Sequence, residues 1–166
     1  MKTIEKVLVE FLREQQIQLK PKTYRGYKDR IKLFKDCLNG YAYQELNGED
    51  SKLFDKLFNE ENKEFCQIFR HDKISSCQIG EFLGDFMIRK VTGSKELMRT
   101  VSKVMRKFIK WIRKKGYMDG EEYEVAAQAV DGLNNDLPKD AAVTFLLLHI
   151  SVAFGHLGHS YPHFLH

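Results

Sequence analysis

The sequence predicts an all-α fold: a bundle of two helical hairpins with additional helices. Three observations carry this reading. Apolar residues recur three and four positions apart along most of the 166-residue chain, the spacing of helices with one buried face. Only three prolines are present to interrupt them. With 43% hydrophobic and 30% charged residues, the chain has the balance of a globular domain with one buried core.

The first helix covers Thr3 to Leu19, because Ile4, Val7, Leu8, Phe11 and Leu12 fall at i, i+3, i+4, i+7 and i+8. Lys20-Pro21-Lys22 ends it. Thr23 then reads as the N-cap of a second helix with the stripe Tyr24, Tyr27, Ile31, Phe34 and Leu38, stopped by Asn39-Gly40. These two helices form the first hairpin. Asp50 to Arg70 follows as a helix of weaker period (Phe54, Leu57, Phe58, Phe65, Ile68, Phe69), interrupted near Asn59 to Asn62.

The second hairpin starts with the stripe Ile79, Phe82, Leu83, Phe86 and Met87, breaks at Gly93-Ser94, and continues as a long helix stopped by Gly116. In the long helix Leu97, Val101, Val104, Met105, Phe108, Trp111 and Ile112 share one face. Glu121 to Val130 reads as a short helix, and Asp136-Leu137-Pro138 opens another that reaches about Val152. Gly155, Gly158 and Pro162 make the remainder irregular. The expected organisation is thus one main unit over residues 1–118, C-terminal helices over 119–154 packed on it, and an irregular His-rich tail over 155–166.

Charge is sorted along the chain far more than the net charge of +4 implies. Lys20 to Lys35 holds seven basic residues and one acid, and Arg89 to Lys115 holds eleven against the single Glu96. Between and after them, Glu45 to Asp85 carries ten acids and five basic residues, and Asp119 to Asp140 seven acids and one lysine. Basic faces of this kind suit an anionic partner. Trp111, Tyr24 and Tyr27 lie on apolar stripes and read as core rather than as stacking platforms for bases.

Cys37, Cys66 and Cys77 are odd in number and have no CxxC spacing, so neither a disulfide framework nor a zinc knuckle is expected and a reducing, cytoplasmic setting fits best. Glu5, Lys6 and Glu10 break up any signal-peptide stretch. The most apolar run, Ala141 to Phe154, has 14 residues, too few to span a bilayer. It reads as a buried helix or a surface for self-association. His156, His159, His163 and His166 have a spacing that metal sites use, but the glycines and proline among them argue against one helical face. No metal site and no cofactor are expected.

The string Thr23, Tyr27, Ile31, Phe34, Leu38, preceded by a helix containing Phe11-Leu12, resembles the N-terminal SAM-like core-binding domain of tyrosine recombinases and phage integrases. Ile74-Ser75 before Ile79, Phe82 and Leu83, then Ser94, Val101, Met105, Phe108, Trp111, Ile112 and Gly116-Tyr117, is similar to the second half of that domain. The resemblance covers about Thr3 to Met118, and implies a SAM-like bundle whose helices clamp DNA. Leu137-Pro138-Lys139 resembles the linker into that family's catalytic domain, yet only 28 residues follow Pro138. No HxxR occurs, and Tyr161 follows the LGHS-like Leu157-Gly158-His159-Ser160 too closely to act as the nucleophile. No catalytic residue, and hence no enzyme, is expected.

The sequence therefore points to a non-catalytic module that binds duplex DNA through Arg25, Lys28, Lys32 and Lys35 on one helix and Arg99, Lys103, Arg106, Lys107, Lys110, Arg113 and Lys114 on the other. The rival reading is a helical protein-interaction module, in which Ala141 to Phe154 docks on another copy or a partner and the basic faces are only solvated.

Overall fold

A computed structural model describes residues 2–89 and 95–132. Among the described residues the fold is all-α, and the only extended pairing is an isolated antiparallel bridge between Thr3 and Arg70. The expected helix from Asp136 and the His-rich tail lie outside them, as does the Gly93-Ser94 break.

Helix α1 (Ile4–Gln18) begins where Thr3 Oγ1 accepts from the Lys6 N–H at 3.4 Å, and buries Ile4, Val7, Leu8, Phe11 and Gln15. Lys20 is extended, as a residue before proline must be, and α2 (Pro21–Tyr41) starts on Pro21. The expected Thr23 cap is therefore corrected. A proline already holding helical φ opens the helix three residues earlier.

The expected stop at Asn39-Gly40 is also overridden, since α2 runs to Tyr41 and leads into a 3₁₀ turn, Ala42–Glu45. Tertiary contacts account for this. Asn39 Oδ1 accepts from the Cys66 N–H at 3.0 Å and its Nδ2 donates to Glu64 at 2.7 Å, so the side chain is not available to end its own helix. Beyond it, Tyr41 packs edge-on to Phe86 at 5.9 Å and Ala42 is buried.

The helical stretch expected over Asp50 to Arg70 breaks near Asn62, where the sequence pattern is interrupted, into α3 (Gly48–Glu61) and α4 (Phe65–Ile68). Asn62 takes the left-handed conformation at φ 53°, and the Asn62 and Lys63 N–H groups return to the Phe58 and Leu57 carbonyls at 3.1 and 3.2 Å. Such a left-handed C-cap stops a helix firmly. A capping box of Glu64 and Gln67 starts α4 at once.

After a 3₁₀ turn, His71–Lys73, a second capping box of Ser75 and Gln78 opens α5 (Ser76–Glu81). It widens into a π turn, Phe82–Phe86, before α6 (Met87–Arg89). Helix α7 (Lys95–Lys114) ends at Gly116, whose φ of 73° closes a second left-handed cap, with Tyr117 N–H bonded to the Ile112 carbonyl at 2.9 Å. Asp119 Oδ1 then caps α8 (Gly120–Gly132) through the Glu122 N–H at 2.9 Å.

The core is centred on aromatic rings. Phe108 of α7 meets Phe11 of α1 at 5.2 Å and Phe34 of α2 at 5.8 Å, and Phe34 reaches Phe82 of the π turn at 5.2 Å. Edge-on pairs of this kind add to the burial of their area. Helix α8 packs against both α5 and α7 and gives Ala126 and Val130 to the same core. Ser102 donates to the Val130 carbonyl at 3.1 Å, and Glu122 accepts from the Ser76 N–H at 2.5 Å.

Candidate nucleic-acid interface

One face of α7 is committed to the core through Val101, Ser102, Val104, Met105, Phe108, Ile109, Trp111 and Ile112. At 3.6 residues per turn, the opposite arc collects Arg99, Arg106, Lys107, Lys103, Lys110, Arg113 and Lys114. Arg99, Lys103, Lys110, Arg113 and Lys114 are exposed, and Arg106 and Lys107 are half-buried at its two borders. The sequence expectation for α7 thus maps onto a continuous basic surface.

Its borders are fixed by different neighbours. Toward α8, Arg106 pairs with Asp131, and the Arg113 guanidinium lies 4.8 Å from the centre of the Tyr123 ring. Lys110, Arg113 and Lys114 line a shallow depression of about 300 Å³ with Tyr123 and Glu124. Toward α2, the Lys107 ammonium sits 5.7 Å above the Tyr27 ring, and Arg30 Nε and Nη2 both donate to Thr100 Oγ1 at 3.3 Å. Burial raises the Tyr27 hydroxyl above its ordinary value. Arg30 is not among the residues expected from the sequence; only the packing of α2 on α7 identifies it.

The α2 residues are placed differently. Tyr27, Arg30 and Phe34 are the residues that meet α7, whereas Arg25, Lys28, Lys32 and Lys35, spaced by three, four and three, form another stripe. That stripe borders α1: Lys35 Nζ donates to Glu5 at 2.5 Å and lies 3.8 Å from Glu64. Burial alone would lower the Lys35 ammonium, but the Glu5 hydrogen bond and both carboxylates outweigh it and hold it above the ordinary value. Lys32 is bridged to Asp36 at 2.7 Å, while Arg25 and Lys28 are exposed. The structure therefore joins the seven α7 cations to Arg30 at one seam and sets the α2 stripe on a separate flank.

Lys115 belongs to neither surface. It pairs with Glu14 at 2.6 Å and Glu10 at 3.4 Å, beside Trp111, whose Nε1 donates to Glu14 at 2.7 Å. Glu10 in turn accepts from Lys2 at 2.6 Å and from the Tyr117 hydroxyl at 2.9 Å. The hydrogen bond to Glu10, with a second to Tyr117, lifts the Lys2 ammonium to about 12. This network ties α1 to the end of α7. It makes Trp111 a core residue with a polar anchor, as its position on the apolar stripe implied.

The cysteines are chemically quiet. Burial pushes the Cys37 and Cys77 thiols up to about 12 and raises Cys66 as well, with nearby carboxylates adding to the effect at Cys37 and Cys77. Thiols held protonated are poor nucleophiles and poor metal ligands. Among the described residues no group of three His, Cys, Asp or Glu side chains could hold a metal ion. None of the described helices is long and apolar enough to cross a membrane. Compared with protein-family models, curated proteins and solved structures, the chain matches none.

Proposed function

We propose that the chain is a non-catalytic DNA-binding module and that the α7 arc is its duplex-contacting surface. The observation that carries this is the division of α7: eight side chains buried on one face and seven cations across the other. From Arg99 to Lys114 the arc runs about 22 Å at the helical rise, matching some six steps of a duplex at about 3.4 Å each. Cations along a rigid helix at this spacing can meet successive phosphates and displace their counterions.

Two alternatives fit the same surface less well. Insertion into a membrane interface needs an apolar face turned outward, and here that face is inside the bundle. Plain solvation leaves the sorting of charge unexplained, since the lysines and arginines gather on α7 while the acids lie on α3 and α8. Because the α2 stripe is on another flank, Arg25, Lys28, Lys32 and Lys35 contribute through a second strand or through the general field rather than at the same groove. The test is a fluorescence-anisotropy titration with a labelled duplex of about 30 base pairs at low salt. Binding that fails for every duplex tried contradicts the proposal.

A further inference from the structure

Helix α8 runs antiparallel to α7 along one border of the basic arc, with Asp131 opposite Arg106 and Tyr123 opposite Arg113. The two borders differ in charge. On the α2 side the cations at the seam, Lys107 and Arg30, face the Tyr27 ring and the Thr100 hydroxyl. On the α8 side carboxylates stand on the surface itself: Asp131 pairs with Arg106, and Glu124 lines the depression that Lys110, Arg113 and Lys114 share. Seven residues separate the two acids, about 10 Å of helix. That is the axial length of three duplex steps.

The stability of α8 does not account for Asp131. The residue lies in the last turn of the helix, where the helix dipole disfavours an acid. Its pair with Arg106 is open to water, the two side chains being 55% and 40% exposed, and such pairs hold weakly. What holds α8 is the burial of Ala126 and Val130, the Ser102 bond to the Val130 carbonyl and the Glu122 bond to the Ser76 N–H. Arg113, by contrast, is placed by neutral groups. Its guanidinium lies on the Tyr123 ring and beside Gly120, where a Cβ would come 3.1 Å from Nη1.

We infer that Asp131 and Glu124 set the affinity of the arc by standing in for phosphates. They occupy Arg106 and the depression when the surface is free, and a duplex has to displace them. The inference rests on the reading of α7 as the duplex-contacting surface, and it makes α8 a brake on that surface. An Arg106 that passes from Asp131 to a phosphate gives little net release of counterions, so its contribution is hidden until Asp131 is neutralised.

Anisotropy titrations of the full chain with a labelled duplex of about 30 base pairs, at several salt concentrations, test this. At low salt Asp131→Asn and Glu124→Gln should each tighten binding about threefold, and together about tenfold. Asp131→Asn should also steepen the fall of log K with log salt by about 0.9, a change that Arg106→Gln in the same chain removes. Asp55→Asn makes the same change of charge at an exposed position of α3 and should alter affinity by less than about twofold. Duplex binding that appears only in the double variant also supports the inference. A double variant no tighter than Asp55→Asn, while the unsubstituted chain binds, overturns it and leaves the DNA-binding reading standing. Absence of binding by both chains overturns both.

Discussion

Asn39 is where local preference and tertiary structure pull in opposite directions, so Asn39→Ala is a sharp perturbation. Within a helix, alanine is favoured over asparagine by roughly 0.5–0.7 kcal/mol, and on that ground alone the variant would be more stable. The structure gives the opposite sign. Asn39 Oδ1 satisfies the N–H of Cys66, a fully buried residue, at 3.0 Å, and Nδ2 holds Glu64 at 2.7 Å. Leaving a buried N–H without a partner costs about 1–3 kcal/mol. The exposed bond to Glu64 adds about 0.5 kcal/mol. Subtracting the propensity gain leaves a net loss of about 1–3 kcal/mol, or a Tm lower by roughly 2–12 °C at about 2–4 °C per kcal/mol for a chain of this size. Thermal denaturation followed by far-UV circular dichroism measures it. Asn39→Asp is the companion: it keeps an acceptor for Cys66 but sets a carboxylate beside Glu64, so its loss should shrink with added salt. A Tm for Asn39→Ala equal to or above that of the unsubstituted chain would refute the claim that this side chain carries α2 past Gly40.

Trp111→Phe keeps an aromatic ring in the core but deletes the 2.7 Å bond to the partly exposed Glu14; a loss of about 1–2 kcal/mol in urea denaturation is expected, and a change below about 0.3 kcal/mol would show that the anchor is idle. Glu81→Gln should stabilise the protein at neutral pH. Burial, reinforced by the charges of Glu45 and Asp85, holds the Glu81 carboxyl above its ordinary value of 4.5. Its ionised form therefore costs stability, and that cost is absent below the ordinary value and appears as pH rises through the raised one. The gain from Glu81→Gln should accordingly be present at pH 7 and vanish by about pH 4; a Tm difference independent of pH would count against it.

Much of the fold was legible because helix periodicity survives in sequence. The stripes of α1, α2 and α7 supply the core through Phe11, Phe34 and Phe108, although Tyr24 at the start of the α2 stripe does not join it. Boundaries were less legible where a competing feature decides them. Pro21 precedes Thr23 as the starting signal, and Asn39 is engaged by α4, whereas the interruption near Asn62 that separates α3 from α4 was legible in the weakened period. The π turn at Phe82–Phe86 leaves no trace in the pattern, because Ile79, Phe82, Leu83, Phe86 and Met87 satisfy ordinary helical spacing. For the interface, the basic arc of α7 could be read from residue spacing alone. Arg30 at Thr100, Arg113 over Tyr123 and the separation of the α2 stripe could not. Those depend on which flank of each helix its neighbours occupy, and similar amphipathic helices can be packed with either flank inward.

The most direct test of the α7 surface is the salt dependence of duplex binding. With four to six phosphates neutralised, log K should fall against log salt with a slope of about −4 to −5. Replacing Lys103, Lys107, Lys110 and Lys114 together by Gln should weaken binding to all duplex sequences. It should also flatten the slope by about 0.9 for each phosphate no longer neutralised, up to four. Arg25, Lys28 and Lys32 replaced by Gln should change the slope by less, because that stripe lies on another flank. A slope unaltered by the four α7 replacements, or one that flattens only with the α2 replacements, would contradict the assignment of DNA binding to α7.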